Sequence, residues 1–266
     1  MKKLLKKLLI LVAALSFVTP CFAQKHTLEL GTETSYIKYE EPGIMKEEGS
    51  MYGIVGSYTY RGPVFILNKA MLKAEGKTAW GRLDYTSPIS GTMKDIPDWL
   101  LELRGLAGYD FEIKDSFPVI WTITPYLGIG YRYLNDDSSG KYSSLGALGY
   151  ERESNYIYSP VGLEITTNLK NNWLIGATAE YDIFWQGIQK SHFDWAGFPE
   201  LVLESEQHQG YGLRGSVKVQ KKGQKMDLIV EPYIRYWNIK QSEVSLIGYE
   251  PKNNSTEIGL KLAVKF

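Results

Sequence analysis

The chain has 266 residues, one cysteine, and 30 basic and 30 acidic side chains, so its formal net charge is zero. This balance gives no reason to expect a nucleic-acid partner, and a single cysteine excludes a disulfide framework within the chain. Aromatic residues make up 13% of the chain, with 19 tyrosines and 7 tryptophans, a composition typical of β-rich proteins. No linker or low-complexity segment divides the sequence, which predicts one domain.

The first 23 residues have the pattern of a secretory signal peptide. Four lysines and no acid lie in Met1–Leu9, an apolar run extends to Thr19, and Ala23 provides a small residue at the cleavage site. The apolar run is shorter than the roughly 20 residues that cross a bilayer as a helix. Removing 23 of 266 residues leaves 243, with 26 of the 30 basic residues against 30 acidic ones. We predict Sec-type export, a signal peptide over 1–23 and one domain over 24–266.

After the signal, apolar side chains alternate with small or charged ones in about ten segments. In chain order these are 28–39, 52–60, 71–85, 101–111, 121–132, 161–166, 173–183, 211–220, 227–236 and 258–266. In a β-strand the two alternating sets face opposite sides of the sheet. Breaks in phase before Asp98 leave eight or twelve strands open as well as ten.

The connections between these segments are of two alternating kinds. Short polar turns are predicted at 114–118, 170–172 and 221–225, and long polar loops at 40–50, 87–98, 135–155, 187–210 and 241–255. The apolar run 64–67 follows a place where a short turn is expected, and the alternation does not explain it. Long loops at one end and tight turns at the other are typical of an outer-membrane barrel. A soluble antiparallel barrel or sandwich is the alternative, because it also alternates.

The chemistry of the two sets favours the membrane barrel. The polar set mixes acids, bases and glycines, which suits a narrow polar lumen. The apolar set carries aromatic residues near strand ends, where they would form interfacial girdles: Trp121, Trp173, Tyr211, Tyr236 and Phe266. A sheet that spans hydrocarbon must close on itself, so the last strand is expected to pair with the first. The predicted fold is all-β, a closed antiparallel transmembrane β-barrel of about ten strands.

The C-terminal strand carries a resemblance to a known signal. Phe266 ends the chain, and Val264, Leu262, Leu260 and Ile258 precede it at alternate positions. This pattern resembles the C-terminal sorting signal that the outer-membrane barrel assembly machinery reads. Residues 24–266 resemble the small outer-membrane β-barrel proteins of Gram-negative bacteria, of OmpA-like or porin-like type. The resemblance implies an integral outer-membrane location and contact with lipid, lipopolysaccharide and the assembly machinery.

Charged residues of the polar set are predicted to face the lumen: Glu102, Arg104, Arg132, Glu164, Glu180, Asp182, Arg214, Lys218, Asp227, Glu231, Arg235, Lys261 and Lys265. Five more are expected to join them: Glu29, Glu33, Lys73, Glu75 and Lys77. Both signs are present, so the charges can form a plug of ion pairs. Barrels of about eight strands are filled by side chains and open channels appear at about sixteen. We expect a plug, with a narrow pore of little ion preference as the alternative.

Enzymatic chemistry is the main competing prediction. The omptin proteases resemble this chain in strand number and plan, and their chemistry needs two aspartates facing an Asp-His pair across the extracellular rim. His192 and Asp194 lie in the fourth long loop, in the reverse order to that pair, and Asp84 lies near the second. We therefore expect no catalytic activity, with a rim-active hydrolase using these residues as the alternative.

The expected function is that of a non-enzymatic, porin-like or structural barrel with surface-exposed loops. A surface-binding, adhesin-type barrel is a further alternative, because the fourth loop is unusually apolar. No cofactor is expected, and no Cys/His cluster indicates a metal site. Asp136 and Asp137 are adjacent acids, which is weak support for a calcium site, so no metal site is predicted.

Overall fold

The computed structural model describes residues 25–114, 120–193, 201–244 and 248–266. Within these residues no helical segment has the length and hydropathy of a membrane-crossing helix. The described strands form one antiparallel sheet. They are β1 (His26–Glu41), β2 (Met45–Val64), β3 (Leu67–Ser87), β4 (Gly91–Tyr109), β5 (Phe111–Lys114), β6 (Ile120–Asp137), β7 (Glu151–Asn168), β8 (Trp173–His192), β9 (Val202–Gln207), β10 (Gly210–Lys221), β11 (Asp227–Ile239) and β12 (Asn253–Lys265).

The sheet closes into a barrel of ten strands. Short β5 continues β4 along β6, and β9 and β10 follow one another along β8, so the twelve segments fill ten strand positions. The pairing of β10 with both β8 and β11 completes the ring. The last strand pairs with the first, from Glu29 opposite Lys265 to Glu40 opposite Asn254. The predicted closed antiparallel barrel of about ten strands is confirmed.

Alternation places the apolar set outside and the polar set inside. In β12, Ile258 and Leu262 are 59% and 50% exposed, whereas Glu257 and Ala263 are buried. The same phase runs through β3, where Leu72 and Trp80 face out and Lys77 faces in. The core of the barrel is therefore its lumen, and it contains most of the buried polar side chains.

The two ends of the barrel differ. We call the end with connections 42–44, 88–90, 138–150, 193–201 and 240–252 the loop end, and the end with connections 65–66, 169–172 and 222–226 the turn end. At the turn end, Phe65 has a φ of 50° and lies with Ile66 in a two-residue hairpin turn. A positive φ is typical of two-residue hairpin turns, and the alternation of a strand does not apply within such a turn. Both side chains are fully exposed.

The strands extend further toward the loop end than predicted. Segments 40–50 and 87–98 were expected to be loops, yet only 42–44 and 88–90 lie outside strands. In 45–48 the strand is largely polar on both faces, as where Lys46 and Glu48 flank buried Glu47, whereas in 91–98 the buried apolar residues Met93 and Ile96 are three positions apart. Alternation of hydropathy is then invisible although the backbone is still extended. A bulge between Leu83 and Tyr85, opposite Asp95 with its φ of 56°, accounts for the phase break before Asp98.

Candidate functional site

The charges predicted for the lumen lie on the inward face of the sheet, where they form three groups of ion pairs. In the central group, the Arg214 guanidinium donates to Glu102 at 2.6 Å and to Asp182 at 2.7 Å. Beside it, Arg104 pairs with Glu180 and, at 3.0 Å, with Glu75. A buried charge is costly unless it is paired and hydrogen-bonded, and each of these has an opposite charge in contact.

A second group of ion pairs lies beside the first and last strands, β1 and β12. Lys77 Nζ lies 2.9 Å from carboxylate oxygens of both Glu33 and Glu257, and Arg235 contacts Glu257 at 3.0 Å. Side chains from β1, β3, β11 and β12 therefore meet across the lumen. Lys77 thereby connects β3 to β1 and β12, which are not its neighbours in the sheet, whereas Arg235 and Glu257 are cross-strand partners on adjacent strands.

The third group lies toward the turn end, beside a cavity of about 140 Å³ that residues of all three groups line. Lys261 bridges Glu29 at 2.7 Å and Glu231 at 2.6 Å. Arg61 pairs with Asp110 and, at 2.6 Å, with Glu164. Lys218 lies 3.5 Å from Glu29. The remaining predicted lumen residues are also inward: Arg132 lies 5.8 Å from the Tyr156 ring centroid, Asp227 accepts from Gln220, and Lys265 lies opposite Asp227.

An apolar layer lies in the lumen on the loop side of the central charges. Along β4 the successive inward residues are Glu102, Leu100 and Asp98, so the layer of Leu100 separates two polar levels. Two clusters of buried side chains build it. One comprises Ile37, Met51, Ala79, Leu83, Leu100 and Leu134, and the other Tyr156, Tyr158, Phe184, Trp237 and Ile239. The Tyr158 and Trp237 rings meet edge to face at 4.9 Å.

Beyond this layer, three buried acids form what we call the acid cluster: Glu47, Asp98 and Asp136. Each offers a carboxylate oxygen, and these oxygens lie within 4.8 Å of one another. The residues are only 3%, 5% and 9% exposed. Asp98 and Asp136 are direct cross-strand partners on β4 and β6. The cluster borders a cavity of about 20 Å³ that Arg152, Ser154 and Gln189 also line.

The three carboxylates of the acid cluster are buried close together, which makes their ionised forms unfavourable. Among the described residues, Glu47 Oε1, Asp98 Oδ1 and Asp136 Oδ1 have no hydrogen-bond partner. Burial and the neighbouring carboxylates raise the pKa of Glu47 and of Asp98 well above their ordinary values. Burial raises the pKa of Asp136 to about 6, although nearby Arg152 lowers it. The cluster lies beyond the apolar outer band, since outward neighbours such as Lys46 and Asp137 are polar.

Arg152 is the cation nearest the acid cluster, but other acids bind it. Its Nη2 lies 2.6 Å from Glu41 and 2.9 Å from Glu250, and the guanidinium packs over the Tyr39 ring. One guanidinium therefore serves two carboxylates outside the cluster. Among the described residues on the loop side of the apolar layer, the buried acids around Arg152 therefore outnumber the cations that contact them.

The structure does not bring the candidate catalytic residues together. His192 ends β8 on the outer face, with Nε2 3.7 Å from Glu153. Asp84 faces outward on β3, where it accepts the Asp95 backbone N–H at 3.1 Å. Strands β4, β6 and β7 separate β3 from β8 in the ring. Asp194 lies outside the described residues.

The C-terminal residues lie as the alternation predicts. Ile258, Leu260, Leu262 and Phe266 are exposed on the outer face, with Val264 between them on the same set. Phe266 exchanges two backbone hydrogen bonds with Leu28, at 2.8 and 3.2 Å, which closes the barrel at its turn end. Recognition of these residues as a sorting signal stays a prediction.

Sequence reasoning missed most of the acid cluster. Glu47 and Asp98 were assigned to loops, and Asp136 was considered only with its neighbour Asp137, which lies on the other face. Counting every second residue back from buried Met51 gives Gly49 and then Glu47, and counting back from Leu100 gives Asp98. That count would have found the inward acids if the strands had been extended to the hairpin tips.

Comparisons with solved structures agree with the architecture. The crystal structure of the outer membrane protease OmpT from Escherichia coli matches with a TM-score of 0.56 and 9% identity, over 94% of this chain and 99% of that one. The fold is that of an outer-membrane β-barrel. The translocator domain of autotransporter NalP from Neisseria meningitidis gives a TM-score of 0.40 at 9% identity, over 98% and 94% of the two chains. Ail of Yersinia pestis gives 0.34 at 9%, over 91% and 99%.

At 9% identity the likeness to OmpT concerns the fold alone. No protein-family model matches the sequence, and no curated protein matches it.

Proposed function

We propose that this protein is an integral outer-membrane β-barrel with a closed lumen, and that it acts as a non-enzymatic, structural protein of the cell surface. The observation that carries the proposal is the filled interior. Three groups of ion pairs and a layer of apolar and aromatic side chains occupy the lumen. A continuous water-filled path is what a porin needs, and the apolar layer interrupts it.

The outer surface supports a membrane location. On β8, Trp173 at the turn end and Trp185 toward the loop end face outward, 41% and 60% exposed. They are twelve residues apart, or about 40 Å along a strand. With a strand tilt of about 40°, this is about 30 Å along the barrel axis, close to an apolar band of about 25 Å with aromatic girdles. Ile175, Ala177, Ala179, Tyr181 and Ile183 fill the outward positions between them.

Orientation follows from the strand count. Ten strands return the chain to the side on which it began, and in bacterial barrels the short turns are periplasmic. The loop end then lies outside the cell, where the strands continue past the apolar band as a rigid β extension. Contacts with lipopolysaccharide and with the assembly machinery through Phe266 belong to the same proposal.

Cysteine labelling tests location and orientation. The chain's one cysteine, Cys21, lies in the predicted signal peptide, so a cysteine introduced into the barrel would be the only one. Tyr142→Cys at the loop end and Ile66→Cys at the turn end replace residues that are 70% and 93% exposed. In intact cells, a membrane-impermeant maleimide should label only the Tyr142 variant, and lysis should expose the other. Labelling of the Ile66 variant in intact cells would refute the orientation.

A further inference from the structure

We infer that the acid cluster of Glu47, Asp98 and Asp136 binds one hard divalent cation, of the size of Ca²⁺, in the extracellular extension of the barrel. This goes beyond the proposed structural function, because it assigns a ligand to a site on the loop side of the apolar layer. The inference stands on three observations: the distances between the carboxylates, their unpartnered oxygens and the cavity beside them.

The fold brings the three acids together from strands β2, β4 and β6. Asp98 and Asp136 face one another directly, whereas Glu47 must reach across β3. On β3 the inward residues nearest to this path are Gly81, which lies directly opposite Asp98, and fully buried Leu83, which lines the same cavity as the acids. Packing around Gly81 is tight, since an added Cβ would lie 2.5 Å from the Ser50 carbonyl oxygen. Glycine at position 81 therefore keeps a side chain out of the tight space beside Asp98.

Among the described residues, no cation lies within ion-pair distance of Glu47, Asp98 or Asp136, although Arg152 borders the same cavity. The guanidinium of Arg152 is bound by Glu41 and Glu250, and each clustered acid keeps one buried oxygen without a donor in the described structure. Three carboxylates at this spacing repel one another when ionised, and a buried acceptor without a partner is costly. A divalent cation would give each of the three acids a charged partner.

The donor set and the spacing select a calcium-like ion. Oxygen-only ligands suit Ca²⁺ and Mg²⁺, whereas Zn²⁺ is typically held by Cys and His. Ca²⁺ lies about 2.3–2.6 Å from its oxygen ligands. An ion between oxygens that lie within 4.8 Å of one another can therefore touch all three. The adjoining cavity of about 20 Å³ is large enough for one small ion or one water. Ser154 and Gln189 border that cavity, where the Ser154 hydroxyl donates to the Gln189 side-chain oxygen.

Calorimetric titration of the refolded full barrel with CaCl₂, after treatment with a chelator, tests the inference. We expect one Ca²⁺ per barrel with a Kd of about 10⁻⁴–10⁻³ M, the range of extracellular calcium modules. Asp136→Asn should weaken binding at least tenfold, because it removes a charged ligand at nearly constant shape. The matched control is Asp137→Asn, the neighbouring acid on the opposite face of β6, which should bind as the wild type does.

Two results would overturn the inference. One is a wild-type barrel that takes up no Ca²⁺ at concentrations tenfold above the expected Kd, which would leave the three acids sharing protons instead. The other is equal affinity in the wild type and in Asp136→Asn, which would place binding on surface acids. If Asp136→Asn fails to refold, Glu47→Gln takes its place, with Glu48→Gln as its control on the outer face. Neither result bears on whether the lumen conducts, so the proposed function is tested separately.

Discussion

At the scale of single residues, the lumen is organised by a few cations that each hold several acids. Arg214 lies within 3.2 Å of oxygens from Glu102, Glu180 and Asp182, and its guanidinium lies over the rings of both Tyr158 and Trp237. Its planar fork of donors can serve several carboxylates at once, which a lysine cannot do in the same way. The residue therefore joins the central ion pairs to the aromatic part of the apolar layer.

Arg214→Ala should strongly destabilise the barrel. It leaves buried carboxylates without their shared partner, and breaking a buried ion pair costs about 3–5 kcal/mol of the free energy of unfolding. The control is Arg82→Ala, since Arg82 faces outward on β3 and donates only to the Asp95 carbonyl at 3.3 Å. Surface changes of this kind usually fall within about 0.5 kcal/mol.

Urea unfolding of the refolded proteins would measure both variants. Similar losses for the two arginines would mean that the central ion pairs do not lie in a dry interior.

At the scale of elements, β12 shows most clearly how one strand presents apolar residues to the outer face and charged residues to the lumen. Leu260 faces out and pairs across the sheet with Thr34 and Pro232, whereas Lys261 faces in toward Glu29 and Glu231. The alternation that predicted this strand is reliable because every outward residue from Ile258 onward is apolar. Toward the loop end of β2 and β4 the outward residues are also polar, so the hydropathy pattern does not indicate that these strands continue.

Leu260→Arg should cost about 2–4 kcal/mol of the free energy of unfolding in lipid, because it places a charge on the lipid face near mid-membrane. Thr256→Arg is the matched control: Thr256 has the same outward phase but lies opposite Lys38, beyond the apolar band, where the cost falls to about 0–1 kcal/mol. Equal costs in reversible unfolding from lipid vesicles would contradict the proposed position of the band.

Deleting Phe266 should reduce assembly into the outer membrane. The deletion removes the terminal aromatic residue of the predicted sorting signal and two backbone hydrogen bonds to Leu28. Phe266→Tyr keeps the backbone bonds and an aromatic ring, so it should assemble nearly normally. Quantifying the folded, heat-modifiable form in outer-membrane fractions would measure both. Unchanged amounts after the deletion would refute the sorting role of this residue.

At the scale of the whole molecule, sequence predicted the barrel, its inside and its outside, but not the layers within the lumen. Period-two alternation identifies which residues face inward, as for Glu102 and Arg214, since it depends only on local backbone geometry. The contacts between inward residues depend on the stagger between strands around the ring. This stagger cannot be deduced from a single sequence. The contact of Glu47 with Asp98 and Asp136, two and three strands away, is of this kind.

The layers within the lumen also bear on whether ions can pass through the barrel. The mixed charges of the lumen predict a plug of ion pairs, with a narrow pore as the alternative. The buried side chains of Leu100, Leu134, Tyr158 and Trp237 lie between the central charges and the acid cluster, and they add an apolar barrier to the ion pairs. An ion would have to shed its water to pass such a layer, which is the basis of hydrophobic gating.

Single-channel recording of the refolded barrel in a planar bilayer tests the closed lumen most directly. Insertion is confirmed independently by the heat-modifiable band of protein recovered from the same lipid. We predict a silent bilayer across the applied voltage range, with wild-type protein inserted. Discrete and reproducible current steps from the inserted wild type would contradict the account, because ions would then be crossing the apolar layer.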